Sequence, residues 1–326
     1  MTGTFKANNP YNNFLLFVYG FVLKLPIFLN PVKPHIQPLD GTLYNGFIFY
    51  LSGIADGVPV LYSIVTYVLI FFQAIAFNKM VNVQRMHPKP NYLTAMSYLL
   101  ITSLFTEWYS LSAPLIVNSF LIWVWSRLCT LHNEPNPKTT IFNIGLFIGI
   151  SSFFYFPSIA FALLIMVGLT IARPFRLAEW LMGLVGLVTP FYLFASWLFL
   201  TDKWKTYHVP GLVIKVPAFV ETNLAYLSII LICITLVIGI FFINNNLRRQ
   251  VVHTRKAWQL LLLYLVVAGL VPFLNATHSF SYFILIAVPL SFITASAFLY
   301  PEKKWFPVAM HWIMVGVCIA IGYFIR

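Results

Sequence analysis

The chain has 326 residues, of which only 28 are charged: 20 lysines and arginines and 8 aspartates and glutamates. Hydrophobic residues make up 60% and charged residues 9%, against ~25% charged in an ordinary soluble protein. This composition excludes a soluble globular domain, a disordered chain and a disulfide scaffold, and no hydrophilic domain is present to turn the net charge of +12 into a nucleic-acid-binding face.

Apolar runs separated by charged or proline- and asparagine-rich breaks predict an all-α bundle of about eleven membrane spans, forming a single transmembrane domain over residues 1–326. The stretch from Thr140 to Ala172 is too long for one helix of ~20 residues, and Pro157 offers a break inside it. The predicted spans are 13–31, 58–78, 92–109, 113–131, 140–157, 159–173, 179–201, 223–243, 257–275, 280–299 and 307–325.

The basic residues predict the orientation of these spans, because short cytoplasmic loops collect lysine and arginine. With a cytoplasmic N-terminus, 14 of the 20 basic residues fall on the inner side, as the rule expects. The inner bases are Lys6, Lys79, Arg85, Lys89, Arg127, Lys138, Arg173, Arg176, Arg248, Arg249, Arg255, Lys256, Lys303 and Lys304.

The acidic residues follow the opposite distribution, with five of the eight on the outer side or at its membrane edge. Acids contribute little to orientation, so either chance or an outer-face functional site accounts for this bias. The two longest segments outside the spans, 32–57 and 202–222, are also predicted to be outer loops. The five outer acids are Asp40, Asp56, Glu107, Asp202 and Glu221.

The first outer loop, 32–57, becomes periodic after its proline-rich start, which predicts a helix lying at the membrane surface. Asp40 stands just ahead of this helix, where it could be an N-cap, a catalytic or metal-binding carboxylate, or both. Tyr44 follows one turn later and is expected beside it. Lys24, inside the first span, is either a functional intramembrane charge, with Asp40 or Glu107 as its candidate partner, or a lysine that reaches the interface.

The second outer loop alternates Lys203 and Lys205 with aromatic residues. This pattern fits interfacial anchoring, and it also fits a cradle for a lipid-linked phosphate. His278 and Tyr282 stand out in the turn between the ninth and tenth spans, although a histidine there is often a plain turn residue.

Three segments together resemble the GT-C class of polytopic membrane glycosyltransferases, and the similarity covers most of the chain loosely. Asp40-Gly41-Thr42-Leu43-Tyr44 is similar to the family's Asp-Glu-x-x-Tyr, with Gly41 in the place of the second acid. Ser112-Ala113-Pro114 followed by Asn118-Ser119-Phe120 resembles a family turn between spans, and His278 with Tyr282 and Pro289 resembles a late outer segment. The chain also resembles an uncharacterised bacterial inner-membrane family of about this length, and this resemblance implies a multi-pass protein of the bacterial inner membrane.

The resemblance implies glycosyl transfer on the outer face from a polyprenyl-phosphate sugar. Asp40 would be the catalytic carboxylate that activates or orients the attacking hydroxyl. Lys203, Lys205, His278 and Tyr282 would face the donor phosphate and stabilise its charge. Tyr44 and Lys24 would support the site.

No cofactor is predicted. The three cysteines, Cys129, Cys233 and Cys318, are far apart and show no metal-ligand spacing, and Gly41 removes support for a divalent cation held by paired acids. The expected partners are membrane lipids, a polyprenyl-phosphate sugar and other membrane proteins, with no nucleic acid. Two alternatives to the enzyme stay open: a non-catalytic scaffold of a cell-envelope complex and a lipid or solute transporter.

Overall fold

The computed structural model describes residues 2–55, 57–205, 207, 214, 222–247, 250–274, 280–303 and 305–324. Within these ranges the chain is helical and contains no β-strand, which confirms the all-α prediction. Two isolated backbone bridges, Asp40 with Tyr155 and Ile214 with Leu274, are the extended contacts among the described residues.

The described residues form fourteen α-helices and five short 3₁₀ segments. The α-helices are α1 Thr2–Phe5, α2 Asn12–Leu23, α3 Leu25–Leu29, α4 Thr42–Ala55, α5 Val60–Val83, α6 Leu93–Ile101, α7 Ala113–Thr130, α8 Lys138–Phe154, α9 Ala162–Ala172, α10 Leu177–Leu200, α11 Asn223–Leu247, α12 Val252–Leu270, α13 Ala287–Leu299 and α14 Trp305–Phe324. The 3₁₀ segments are Thr106–Tyr109, Leu131–Asn133, Phe156–Phe161, Val271–Phe273 and Phe280–Ile286.

Seven helices in the described ranges are long and apolar enough to cross a membrane, fewer than the eleven predicted spans. Three further apolar helices, Asn12–Leu23, Lys138–Phe154 and Phe156–Ala172, are shorter. The seven are Val60–Val83, Ala113–Asn133, Leu177–Leu200, Asn223–Leu247, Val252–Phe273, Phe280–Leu299 and Trp305–Tyr323. The chain is therefore a multi-pass membrane protein, with spans of unequal length.

Local breaks explain why several predicted spans are not continuous helices. The predicted span 92–109 contains only the nine residues of α6 before the chain turns, and all nine are buried by neighbouring helices. The first predicted span is interrupted at Lys24, where α3 begins with Pro26 in its first turn. The break expected near Pro157 is present: α8 ends at Phe154, and a 3₁₀ segment with Pro157 in its first turn leads into α9.

One end of the bundle, which we call the basic face, is closed by hydrogen bonds between loops and helix ends that involve three of the predicted inner bases, Lys6, Arg173 and Lys256. The Lys6 ammonium donates to the Leu299 carbonyl at 3.3 Å. The Arg173 guanidinium donates to the Leu131 carbonyl at 2.7 Å and also lies 3.5 Å from the Glu179 carboxylate. The Lys256 ammonium, at 2.9 Å from the carbonyl that ends α9, closes the same surface. Asp40 and the first predicted outer loop lie at the opposite end, the Asp40 face.

Several polar side chains buried in the bundle form hydrogen bonds that join one helix to another. The Tyr98 hydroxyl donates to the Gln73 side chain at 2.6 Å, and the Gln73 amide donates to the Leu115 carbonyl at 2.7 Å. Asn118 donates to the Ile284 carbonyl at 3.0 Å and accepts from Tyr264 at 3.3 Å. This network joins α5, α6, α7, α12 and the 280–286 segment, where an unpaired polar group would cost free energy.

Glycines allow α8 and α10 to pack with their backbones in contact. A Cβ atom on Gly186 would lie 2.1 Å from the Phe142 carbonyl oxygen, and one on Gly145 would lie 2.2 Å from the Gly183 carbonyl oxygen. Small residues at such a crossing let two membrane helices gain dispersion contacts that larger side chains would block. The α8–α10 pair therefore depends on the absence of side chains at these positions.

Replacing Gly186 with alanine should destabilise the protein by about 1–3 kcal/mol, because the added methyl group overlaps the backbone of α8. The matched control is Gly269→Ala in α12, where a Cβ atom has open space and alanine favours the helix. Thermal unfolding of the purified full chain should show a lower midpoint for Gly186→Ala only. Equal midpoints for the two variants would contradict the close packing.

Candidate functional site

The segment that carries Asp40 is fixed by backbone hydrogen bonds to the break that follows α8. The Gly41 amide donates to the Phe154 carbonyl at 2.8 Å, and the Phe156 amide donates to the Leu39 carbonyl at 3.3 Å. This pairing is possible because α8 ends at Phe154, which leaves carbonyl and amide groups there without helical partners. The helix break thus determines where Asp40 lies.

Gly41 has a steric reason for being glycine. A Cβ atom at this position would lie 2.0 Å from the Phe153 carbonyl oxygen, so no larger residue fits without moving the backbone. This explains why the second acid of the Asp-Glu-x-x-Tyr pattern has no counterpart at position 41. A paired-acid site cannot be built from adjacent residues here.

The Asp40 carboxylate lies partly buried in front of α4. One carboxylate oxygen accepts a hydrogen bond of 2.8 Å from the backbone amide of Gln37. This amide lies in the loop before Asp40 and is not one of the amides of α4. Burial raises the pKa of the Asp40 carboxyl from 3.8 to about 6, and the Gln37 amide opposes part of this rise. Asp40 therefore exchanges its proton much closer to neutral pH than an exposed aspartate does.

A polar cavity of about 330 Å³ opens beside Asp40 at the Asp40 face. It brings together three regions that are distant in sequence: the first predicted outer loop, the turn before α7 and the 280–286 segment. Two acidic side chains, Asp40 and Glu107, line this cavity. The other polar or aromatic lining residues include His35, Gln37, Thr106, Tyr109, Ser110, Ser112, Ser281 and Tyr282.

Glu107 enters this cavity on the 3₁₀ segment Thr106–Tyr109. Neighbours hold that segment in place: the Trp108 indole donates to the Phe280 carbonyl at 3.2 Å, and the Tyr109 hydroxyl donates to the Ser103 carbonyl at 2.8 Å. The sequence marked Glu107 as an acid at the membrane edge and as a candidate partner of Lys24. His35 and Tyr109 carried no signal of their own, because nothing in their local pattern distinguishes them from other loop residues.

Tyr282 and Tyr44, both predicted near the site, occupy different positions relative to the cavity. Tyr282 lines it, and its ring stacks on Tyr155 with centroids 4.9 Å apart. Tyr44 is fully buried, and its hydroxyl donates to the Leu111 carbonyl at 2.8 Å. Tyr44 therefore ties α4 to the turn that forms the cavity wall.

Lys24 is enclosed within the protein, behind one wall of the cavity. Its ammonium donates to the Thr102 carbonyl at 2.9 Å and lies 5.1 Å from the centre of the Tyr109 ring. The side chain is 0% exposed, so it does not extend to the membrane interface as a snorkelling lysine would. Through Tyr109, which lines the cavity, Lys24 supports the wall from behind.

Lys203 and Lys205 lie outside the polar cavity, and both are exposed. The Lys203 ammonium lies 5.6 Å from the centre of the Trp197 ring. Between the two lysines, Trp204 lines a second cavity, which contains mainly aromatic and aliphatic side chains. His278, the remaining predicted phosphate ligand, lies outside the described residues.

The second cavity, also about 330 Å³, lies on the other side of the Asp40 segment. Gly41 and Thr42 line it, whereas Asp40 lines the polar cavity, so consecutive residues separate the two spaces. The apolar lining residues include Phe153, Phe156, Phe191, Phe194, Leu198, Trp204 and Tyr207. A ligand with a polar end and an apolar chain would find a polar cavity and an apolar cavity next to the partly buried Asp40 carboxylate.

A protein-family model described as a family of unknown function (DUF6427) matches residues 45–326. The matched range begins just after Asp40 and includes Glu107, Tyr109 and Tyr282. No curated protein and no solved structure matches the chain.

Gly41→Ala should displace the Asp40 segment, because the new methyl group would overlap the Phe153 carbonyl. We expect a loss of about 1–3 kcal/mol in unfolding free energy. Gly46→Ala is the control, since Gly46 lies on α4 with no atom within 4 Å of the position its Cβ would take. Thermal unfolding should separate the two variants, and an unchanged midpoint for Gly41→Ala would show that the close contact is absent.

Proposed function

The chain belongs to the family of unknown function DUF6427, and we propose that it is an integral membrane glycosyltransferase of the GT-C kind. It would take a sugar from a polyprenyl-phosphate donor and transfer it to an acceptor hydroxyl at the Asp40 face. The observation that carries this proposal is a partly buried carboxylate that lines a polar cavity and has its pKa raised to about 6, with an apolar cavity lined by the next two residues, Gly41 and Thr42.

Asp40 is the general base in this proposal. Its carboxylate accepts the proton of the acceptor hydroxyl as the hydroxyl oxygen forms a bond to the anomeric carbon of the sugar. The bond between that carbon and the phosphate oxygen breaks, and the polyprenyl phosphate leaves with the bonding electron pair. A base with a pKa near 6 is ionised at neutral pH and still basic enough to share a proton in the transition state.

The two cavities suit the two parts of the donor. The apolar cavity, with Phe153, Phe191 and Phe194 in its walls, supplies a surface for an isoprenoid chain. The polar cavity supplies hydroxyl, carboxylate and imidazole groups that can hydrogen-bond a sugar. The donor phosphate would lie between the two, beside Asp40.

The four residues predicted to bind the donor phosphate occupy different positions in this arrangement. Lys203 and Lys205 flank Trp204, which lines the apolar cavity, so they would meet the phosphate at the rim of that cavity. Tyr282 would act from within the polar cavity. His278 remains a prediction from the sequence.

The topology belongs to the same proposal: eleven crossings, a cytoplasmic N-terminus and an Asp40 face that is turned outward from a bacterial inner membrane. The concentration of arginine and lysine at the basic face supports this orientation. The broken first span and the segment that contains the short α6 would then count among the eleven crossings. Neighbouring helices surround α6, because all nine of its residues are buried.

Cysteine labelling in intact cells tests the orientation. In a Cys233→Ser background, Lys33→Cys should react with a membrane-impermeant maleimide, whereas Lys89→Cys should react only after the membrane is permeabilised. Lys33 lies in the first predicted outer loop and Lys89 in a predicted inner loop, and both are exposed. Labelling of Lys89→Cys in intact cells, with Lys33→Cys protected, would reverse the proposed topology.

Asp40→Asn should lower sugar transfer by about 10²–10⁴-fold, because the amide keeps the shape of the side chain but cannot accept the proton. The assay is transfer of radiolabel from polyprenyl-phosphate mannose and polyprenyl-phosphate glucose by the purified full chain in lipid. Asp202→Asn is the matched control, an identical change at an exposed acid outside both cavities.

The pH profile separates loss of the base from loss of structure. Transfer by the wild-type chain should fall about tenfold per pH unit below about pH 6, where Asp40 becomes protonated, and any residual Asn-variant activity should lack this limb. Full activity in Asp40→Asn would refute the assigned base. If a stable membrane partner copurifies and Asp40→Asn leaves the cellular phenotype intact, the scaffold alternative is favoured.

A further inference from the structure

A separate cavity of about 320 Å³ lies between α1, α2 and α14, and its walls include Thr4 and Phe5 near the basic face. Most of its lining is aliphatic or aromatic, with Leu15, Val18, Val22, Val315 and Ile319 among the residues that form it. Tyr19 and His311 are the exceptions that concern us, because both place buried polar atoms beside this apolar space.

Tyr19 and His311 are buried, with 7% and 1% of their surfaces exposed. Their rings stack with centroids 5.8 Å apart, which fixes both side chains against one wall of the cavity. In the described part of the chain, the Tyr19 hydroxyl and both His311 ring nitrogens have no hydrogen-bond partner. Three polar atoms without partners at one apolar site are unusual, because buried polar groups are almost always paired.

The mouth of this cavity opens sideways, toward the surroundings of the helices. Val18 and Val22 on α2, with Trp312 and Ile319 on α14, are 41–57% exposed and line it. Because α14 is a membrane-crossing helix by length and composition, these exposed residues face acyl chains. A ligand would therefore enter from the lipid.

The depth and the chemistry of the lining identify the kind of head group that fits. His311 is the seventh residue of α14, which places it about 9 Å along the helix from its start at the basic face. Among the described residues that line the cavity, none is a lysine, arginine, aspartate or glutamate that could balance a charged head group. A neutral imidazole offers one donor and one acceptor, and the tyrosine hydroxyl offers both, which matches a neutral oxygen.

We propose that this cavity binds a membrane-soluble molecule with a neutral oxygen head group, a hydroxyl or a carbonyl, on an apolar chain. The head group hydrogen-bonds His311 and Tyr19, and the chain lies against the aliphatic residues of α2 and α14. This site shares no lining residue with the Asp40 cavity, so it does not depend on the proposed transferase activity.

The test uses the full chain in phospholipid nanodiscs with four probes at equal mole fraction. Farnesol carries a hydroxyl, decylubiquinone carries carbonyls, farnesyl phosphate carries a charge and dodecane has no head group. We expect farnesol, decylubiquinone or both to raise the unfolding midpoint, since a ligand that binds the folded state stabilises it. Farnesyl phosphate and dodecane should have much smaller effects, and the probe that acts identifies the head group as hydroxyl or carbonyl.

Two variants tie the effect to the named side chains. Tyr19→Phe removes only a hydroxyl, and His311→Leu removes the ring nitrogens; each should weaken binding of the active probe by about five- to tenfold. Tyr323→Phe, at an exposed tyrosine on the same helix α14, is the control and should bind as the wild type does. The proposal is overturned if neither neutral probe stabilises the wild type, or if Tyr19→Phe, which should fold normally, binds the active probe unchanged.

Discussion

The architecture of the Asp40 face depends on one backbone contact, the pairing of Leu39 and Gly41 with the chain break at Phe154 and Phe156. A membrane helix that ends inside the protein leaves amide and carbonyl groups that must be satisfied, and here the first outer loop satisfies them. The contact is close enough to require glycine at position 41. As a result the segment forms a partition with the polar cavity on one side and the apolar cavity on the other.

The rest of the site is built by hydrogen bonds that join loops to neighbouring helices. Tyr44 ties α4 to the turn before α7, and Trp108 ties the 3₁₀ segment carrying Glu107 to the 280–286 segment. Below them, Asn118 joins α7 to the same 280–286 segment. Because each tie crosses between distant parts of the chain, the cavity is a product of the whole bundle. In a low-dielectric surrounding such bonds are strong, and they hold the cavity in a defined shape.

The fold and the site were predictable to different degrees. Apolar run length and Pro157 correctly indicated a multi-pass helical protein with a break between α8 and α9. Within the described residues, only seven of the eleven predicted spans are helices of full length. The first span is broken at Lys24, α6 ends after nine residues, and the two helical stretches on either side of the break at Tyr155, Lys138–Phe154 and Phe156–Ala172, are also short. Hydropathy reports how apolar a stretch is, but it does not report whether neighbouring helices or lipid will surround it.

Among the individual residues, the small number of acids was the most useful guide to the site. Asp40 stood out because acids are rare in this chain, and it does line a polar cavity with Tyr282. The local pattern also suggested Lys203 and Lys205, yet both are exposed and neither lines the polar cavity. Glu107 joins Asp40 across 67 positions of sequence, and the stacked pair of Tyr19 and His311 is separated by 292.

The sequence by itself determined the membrane environment, the helical class and the small set of acids from which a site could be drawn, because composition and apolar periodicity act locally. Only the tertiary structure decided that Asp40, Glu107 and Tyr282 line one cavity, that Lys203 and Lys205 lie outside it, and that His311 lines a separate apolar cavity. Those choices depend on helix packing and on backbone groups released at helix breaks, and both bring together residues whose separation along the chain carries no information about their distance in space.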